Sequence, residues 1–167
     1  MSLLTCCKIQ NVEGGSAWNQ GSTFEERDMT RWAKQRINDL LANVEYRVEN
    51  GPEEATVLKV VKVKDLEGDA SIAVFRGKKR YLFDFTFAVE CNGKFGDVEP
   101  GNVQGELKFL DFSSDGDDDF EADVIVPQRY QSEAGKMMYK HLAHTKSGLR
   151  ALISAKLKQF VNEYGEM

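Results

Sequence analysis

Apolar residues recur along this chain with two different periods, and the places where the period changes divide it into elements. From Met29 to Val44 the positions Met29, Trp32, Ala33, Ile37, Leu40, Leu41 and Val44 follow helical spacing with one buried face, and Asp28 offers a side-chain oxygen to cap the first turn. The helix is predicted to end near Asn43 and Val44, and residues 49–54 (Glu-Asn-Gly-Pro-Glu-Glu) are loop chemistry. Ahead of the helix, residues 12–22 are rich in Gly, Ser and Asn around a lone Trp18, so residues 1–27 read as an irregular lead-in.

The middle of the chain alternates instead. Residues 56–64 form a first strand in which the adjacent pair Val60-Val61 breaks alternation and marks a candidate bulge. Residues 70–75 and 80–91 flank the turn at residues 76–79, where Gly77 supplies the left-handed position of a hairpin. Asn92-Gly93 is a turn signal, and after a loop through Pro100, residues 103–112 and 120–126 make a further strand pair around an acidic connection. Helical spacing returns weakly at Met137, Met138 and His141, then strongly through Leu149, Leu152, Ile153, Leu157, Phe160, Val161 and Tyr164. Gly148 either separates two helices or weakens one. Helix, meander of four to five strands, helix is the signature of an α+β domain, with the long C-terminal helix packed on the sheet and residues 1–167 forming one domain.

Composition narrows the function. A chain of 167 residues with 41% hydrophobic and 29% charged residues is an ordinary globular domain, able to bury roughly 70% of its unfolded surface. Its net charge of −5 argues against nucleic-acid binding, which needs a basic excess over a face. No apolar run approaches the roughly 18 residues of a membrane span, and the opening Met1 to Gln10 lacks the pattern of a signal peptide, so a cytoplasmic protein with no membrane partner is expected. Cys6, Cys7 and Cys91 form no CxxC pair and read as reduced thiols.

A search for chemistry finds little. Neither glycine-rich phosphate loop is present. His141 and His144 lie three apart on a helix without a third ligand nearby, and the run Asp115, Asp117, Asp118, Asp119, Glu121 lacks calcium-loop spacing, so no metal is expected. Ser and Cys occur without a nucleophile motif, so no catalytic residue and no cofactor can be named.

The sheet is more informative. On residues 80–91, Tyr81, Phe83, Phe85, Phe87 and Val89 share the natural core side, leaving Leu82, Asp84, Thr86, Ala88 and Glu90 on the other. By the same alternation, Leu110 and Phe112 fall on the polar side of the next strand. Leu82, Leu110 and Phe112 either gather beside the basic turn as an apolar centre with a charged rim, or are scattered or covered by a helix; pattern alone leaves both open. The aromatic row also admits a carrier, with an apolar ligand held between sheet and C-terminal helix, against ordinary core packing.

Several stretches, taken in order, resemble a known family. Residues 13–19 (Glu-Gly-Gly-Ser-Ala-Trp-Asn), 25–28 (Glu-Glu-Arg-Asp), Trp32-Ala33-Lys34, residues 66–71 (Leu-Glu-Gly-Asp-Ala-Ser) and Leu82-Phe83-Asp84-Phe85 after a basic hairpin look like the N-terminal domain of the activators of the heat-shock protein 90 ATPase. The resemblance implies a co-chaperone with no ATPase of its own, a monomer alone, that docks on the chaperone's middle domain and shifts the loop carrying the chaperone's catalytic arginine. It places partner contacts at Arg76, Gly77, Lys78, Lys79 and Arg80, with Phe75 standing where the family's basic motif begins with arginine, and at Leu82. Phe112 joins them by alternation. The family's Asn- and Trp-rich stretch is only partly retained around residues 20–24. Many relatives carry a second, C-terminal domain after a linker.

Overall fold

The computed structural model describes residues 24–48, 56–96, 101–116 and 119–167. The lead-in up to residue 23, with Cys6, Cys7, Trp18 and most of the Asn- and Trp-related stretch, lies outside them, as do the loop at 49–54 and Asp117 and Asp118. Within the described residues the chain runs β1 (Phe24–Asp28), α1 (Thr30–Leu41), β2 (Glu45–Arg47), β3 (Thr56–Phe75), β4 (Lys78–Phe95), β5 (Val103–Ser113), β6 (Asp123–Ile125), α2 (Glu133–Ala143) and α3 (Leu149–Gly165). The strands form one antiparallel sheet in the order β1-β3-β4-β5-β6, and β2 shares with β1 the outer edge of β3. The expected α+β architecture is present, with six strands rather than four or five.

The differences from alternation have local causes. Glu25 to Arg27, expected to be irregular, belong to β1, where they pair with Val74 to Ile72. Their charged side chains conceal an edge strand, which needs no apolar alternation of its own. The two expected strands of residues 56–75 are one strand of 20 residues, bent at two irregularities. One falls at Val60/Lys62, as the Val-Val pair predicts, and the other at Lys64/Glu67, where Asp65 adopts a φ of 52°. Asn92-Gly93 is not a turn: both residues remain in β4, paired to Lys59 and Leu58 on one side and to Gln104 and Val103 on the other. Gly93 serves packing instead, because a Cβ there would stand 2.8 Å from the Met138 sulfur of α2. Gly105, one strand over, plays the same part, with Leu142 2.6 Å from the place its Cβ would occupy. The strand expected over residues 120–126 shortens to β6.

All three described helices pack on one face. The N-cap position expected at Asp28 falls instead on Met29, which offers no capping side chain; Asp28, one residue earlier, accepts a 2.8 Å hydrogen bond from the Thr30 amide. Ser132 caps α2 by accepting from the Gly135 amide at 3.0 Å, and Gly148, at φ 83°, divides α2 from α3. Helix α1 lies on β3, α2 on β4, β5 and β6, and α3 against both other helices. The space between α3 and the sheet is filled by rings: Phe160 meets Phe83 at 5.5 Å and Phe112 at 5.7 Å, and Trp32 of α1 stacks on Phe160 at 5.9 Å. The row Phe83, Phe85, Phe87, Val89 is buried, as expected of a core face. Arg36 of α1 grips Glu163 of α3 through two hydrogen bonds, 2.6 Å from Nε and 2.8 Å from an Nη.

Candidate partner-docking face

The opposite face of the sheet carries no helix among the described residues, and its clearest feature is the end formed by the β3–β4 hairpin. Phe75 pairs with Lys78, so only Arg76 and Gly77 make the turn, with φ values of 49° and 76°. Left-handed conformations at both positions give the primed turn whose twist matches the strands. Arg76 projects there with its guanidinium carbon 5.1 Å from the centre of the Phe75 ring.

Register then distributes the predicted contacts. Directly paired residues of an antiparallel ladder point to the same side. The pairs Phe75–Lys78, Ala73–Arg80, Ser71–Leu82, Asp69–Asp84 and Glu67–Thr86 therefore run in that order along the outer face. Leu82 is 42% and Phe75 45% exposed, large for apolar side chains in a sheet. Lys78 and Arg80, on the same face, are exposed.

The four basic residues do not act together. Lys79 points to the helix side, where its ammonium donates to the Met167 carbonyl at 2.9 Å. Nearby, the Tyr164 hydroxyl donates to the Leu82 carbonyl at 3.1 Å, so α3 grips the back of the residue whose side chain stands on the front. Burial pushes the Tyr164 phenol up to about 12, which keeps it a donor.

Phe112 does not belong to this face. Phe85 pairs with Phe112 and Phe87 with Phe109, so β5 carries one residue more than β4 over this interval, a bulge that reverses the alternation after Leu110. Phe112 is consequently 0% exposed, with its ring 5.0 Å from that of Phe83 and 5.1 Å from that of Phe120. Leu110 does face outward, 54% exposed, but it lies toward the Thr86 level, beyond Asp84 from Leu82. The apolar centre is thus Leu82 with Phe75 and the small Ser71 and Ala73, not a Leu82–Leu110–Phe112 cluster. Alternation on residues 70–75 alone could have nominated Phe75, since it ends an otherwise polar or small side.

Farther along the same face the strands are tied by charge. The Lys64 ammonium lies 2.8 Å from Glu106 and 3.5 Å from Glu90, and Lys62 is 3.8 Å from Glu90. Ala88, paired between Lys64 and Lys108, is 2% exposed among these long side chains.

Other candidates from the sequence are placed elsewhere. Cys91 is buried in the core, its thiol pushed up to about 12 by desolvation, which leaves it a poor nucleophile. His141 stands beside Phe95, with ring centres 5.9 Å apart, and His144 ends α2 with Ser147 Oγ 3.2 Å from its Nδ1. The cavity at the end of α3, bordered by Tyr81, Phe83, Phe120 and Tyr164, measures about 160 Å³, below the roughly 300 Å³ at which small-molecule sites begin. An open groove of about 360 Å³ lies between the end of α1, the start of β2 and α3.

The family model described as Activator of Hsp90 ATPase, N-terminal, matches residues 26–167. The chain belongs to this family. The match begins inside β1 and takes in every later element, including the whole β3–β4 hairpin. Among solved structures, the crystal structure of Aha-1 from Plasmodium falciparum superposes with a TM-score of 0.63 at 19% identity, over 84% of this chain and 88% of that one. The solution structure of the human Aha1 N-terminal domain gives a TM-score of 0.57 at 18% identity, over 83% of this chain and 94% of that one. Both likenesses are of fold. Comparison with curated proteins returned no match.

Proposed function

We propose that this domain is a cytoplasmic co-chaperone that docks through its outer sheet face on the middle domain of heat-shock protein 90 and stimulates the chaperone's ATPase by repositioning its catalytic loop. Family membership supplies the class of partner. The observation that carries the docking mode is the joint display of Lys78, Arg80 and Leu82 on a sheet face that no described helix covers. Leu82 serves as the apolar anchor, since a few well-placed side chains dominate such interfaces. Lys78 and Arg80 form the charged rim, with Arg76 and Gly77 at the tip, while Lys79 contributes by fixing the hairpin from behind. The domain brings no ATP chemistry of its own. A carrier function gains no support, because rings fill the space between sheet and α3.

The test is a coupled ATPase assay of the chaperone with and without this chain. Wild type should stimulate turnover; Leu82→Glu should abolish binding of the isolated middle segment without loss of fold; Lys78→Ala should lower maximal stimulation more than affinity. No saturable binding at tens of micromolar in low salt, with both proteins folded, would overturn the proposal.

A further inference from the structure

The charges on the outer face have a symmetry of their own. Along β4 the outward side chains are Lys78, Arg80, Leu82, Asp84 and Thr86, and beside them on β3 stand Phe75, Ala73, Ser71, Asp69 and Glu67. Sign therefore reverses across Leu82. Arg76, Lys78 and Arg80 lie on one side, together with the carboxylate of Glu26 beside Ala73; Asp84, Asp69 and Glu67 lie on the other, and Asp28, paired with Ser71, stands two strands from Leu82 at its level, on the outer edge of β1. Among the described residues neither Arg80 nor Asp84 enters an ion pair. All of these charged side chains are exposed.

We infer that two copies of this domain associate face to face through this surface, about a two-fold axis that lies between the sheets, crosses β4 at right angles and passes at Leu82. Such a rotation reverses the strand direction and keeps β3 over β3 and β4 over β4. Leu82 then meets Leu82, Arg80 meets Asp84 of the second copy, Lys78 meets the Thr86–Glu67 level and Ala73 meets Asp69. Every contact off the axis occurs twice. A two-fold axis along β4 would set Arg80 on Arg80 and is excluded by repulsion. Reversal of sign about one central residue is what an isologous interface requires of a single surface, whereas a different partner needs only to complement it. Ser71 and Ala73, being small, let the facing sheets approach around Leu82. The usual angle of about 30° between packed sheets spreads the charge pairs without separating them, since Arg and Lys are long.

The contact is made by a few outward side chains of β3 and β4 and depends on exposed charges screened over about 8 Å at physiological ionic strength. The dilute protein is then the monomer expected from the sequence, and the dimer forms as concentration rises and salt falls. It hides the face assigned above to the chaperone, so self-association and chaperone docking exclude each other.

Sedimentation velocity over tens to hundreds of micromolar, in low and in high salt, tests this with the chain alone. Wild type should show a sedimentation coefficient that rises with concentration in low salt and stays monomeric in high salt. Arg80→Asp and Asp84→Arg should each sediment as monomers, because each sets like charges together. An equimolar mixture of the two variants should regain wild-type association, because each altered side chain then faces the opposite sign; circular dichroism of each variant establishes that it is folded. Wild type that remains monomeric throughout low salt, or a mixture no more associated than its folded components, overturns the inference whatever the chaperone assay returns. Adding the chaperone's middle segment to dimeric wild type should dissolve the dimer; a ternary complex retaining two copies would overturn the shared face.

Discussion

Phe112 and Leu82 exchange the roles that simple alternation assigns them, and truncating each to alanine measures the exchange. Phe112 is fully buried and its ring lies 5.0 Å from Phe83, 5.1 Å from Phe120, 5.7 Å from Phe160 and 5.8 Å from Phe87. Neighbours drawn from the adjacent strand, a connecting segment and a helix cannot all close on the space left behind, so Phe112→Ala belongs at the upper end of the usual 3–5 kcal/mol, about 4–5 kcal/mol. For a domain of this size each kcal/mol moves the midpoint by about 2–4 °C, so Tm should fall by about 8–20 °C. Leu82 keeps 42% of its surface exposed, and Leu82→Ala should cost about 1 kcal/mol or less. Urea unfolding followed by fluorescence, with m unchanged between variants, reads both. A loss under about 1 kcal/mol for Phe112→Ala together with a larger loss for Leu82→Ala would mean that β5 has no bulge and that alternation runs through to Phe112.

Two further substitutions test the helix layer. Hydrogen bonding to Arg36 lowers the Glu163 carboxyl from 4.5 to about 2; because its folded pKa is depressed, its stabilisation is complete above about pH 4.5 and is lost as pH falls toward 2. With both side chains about a third exposed, screening reduces the effect to about 1–2 kcal/mol, and Glu163→Gln should remove that much at about pH 6 and almost nothing near pH 2, as read by denaturant midpoints at each pH. Gly135→Ala would place a Cβ 1.9 Å from the Gln128 carbonyl oxygen, a backbone atom that cannot swing aside; despite alanine's better helix propensity it should destabilise by about 1–3 kcal/mol, and an unchanged or raised Tm would show that the turn before α2 is looser than this packing implies.

Most of the architecture is legible from periodicity because, among the described residues, helices cover the sheet on one face only, so each strand carries a clean inside and outside. The core row of β4 and the helical faces of α1 and α3 follow directly. What escapes is whatever depends on a residue's partner rather than on its own position. Asn92-Gly93 has the chemistry of a turn, but Gly93 is kept small by Met138, more than forty residues away in sequence. β1 reads as irregular because an edge strand of Glu, Glu, Arg and Asp needs no apolar residues, only the free edge of β3. The candidate site fails in the same manner at Phe112, where one extra residue opposite Thr86 changes which face a side chain takes. Lys79 is the counterexample within the basic run: its neighbours Lys78 and Arg80 take the other face by the period of two, so the division of that run was available from alternation alone.

That division also explains how the hairpin is held in place. β4 is gripped from the helix side at two successive inward positions of its first turn of pairing: Lys79 reaches the Met167 carbonyl, and Tyr81 packs edge-on against Tyr164 at 5.8 Å. The Tyr164 hydroxyl then binds the carbonyl of Leu82 itself. Tyr164 in turn lies in a ring stack with Phe160 and Trp32, at 5.8 and 6.0 Å, which extends the support through α3 into α1. The outward positions between these anchors, Lys78, Arg80 and Leu82, therefore project from a strand whose backbone is fixed by a buried aromatic column. A docking surface made of long flexible cations would lose much of its binding energy to ordering on contact. On the proposed docking mode, fixing the backbone beneath them removes part of that cost, and it does so with residues on the opposite side of the sheet.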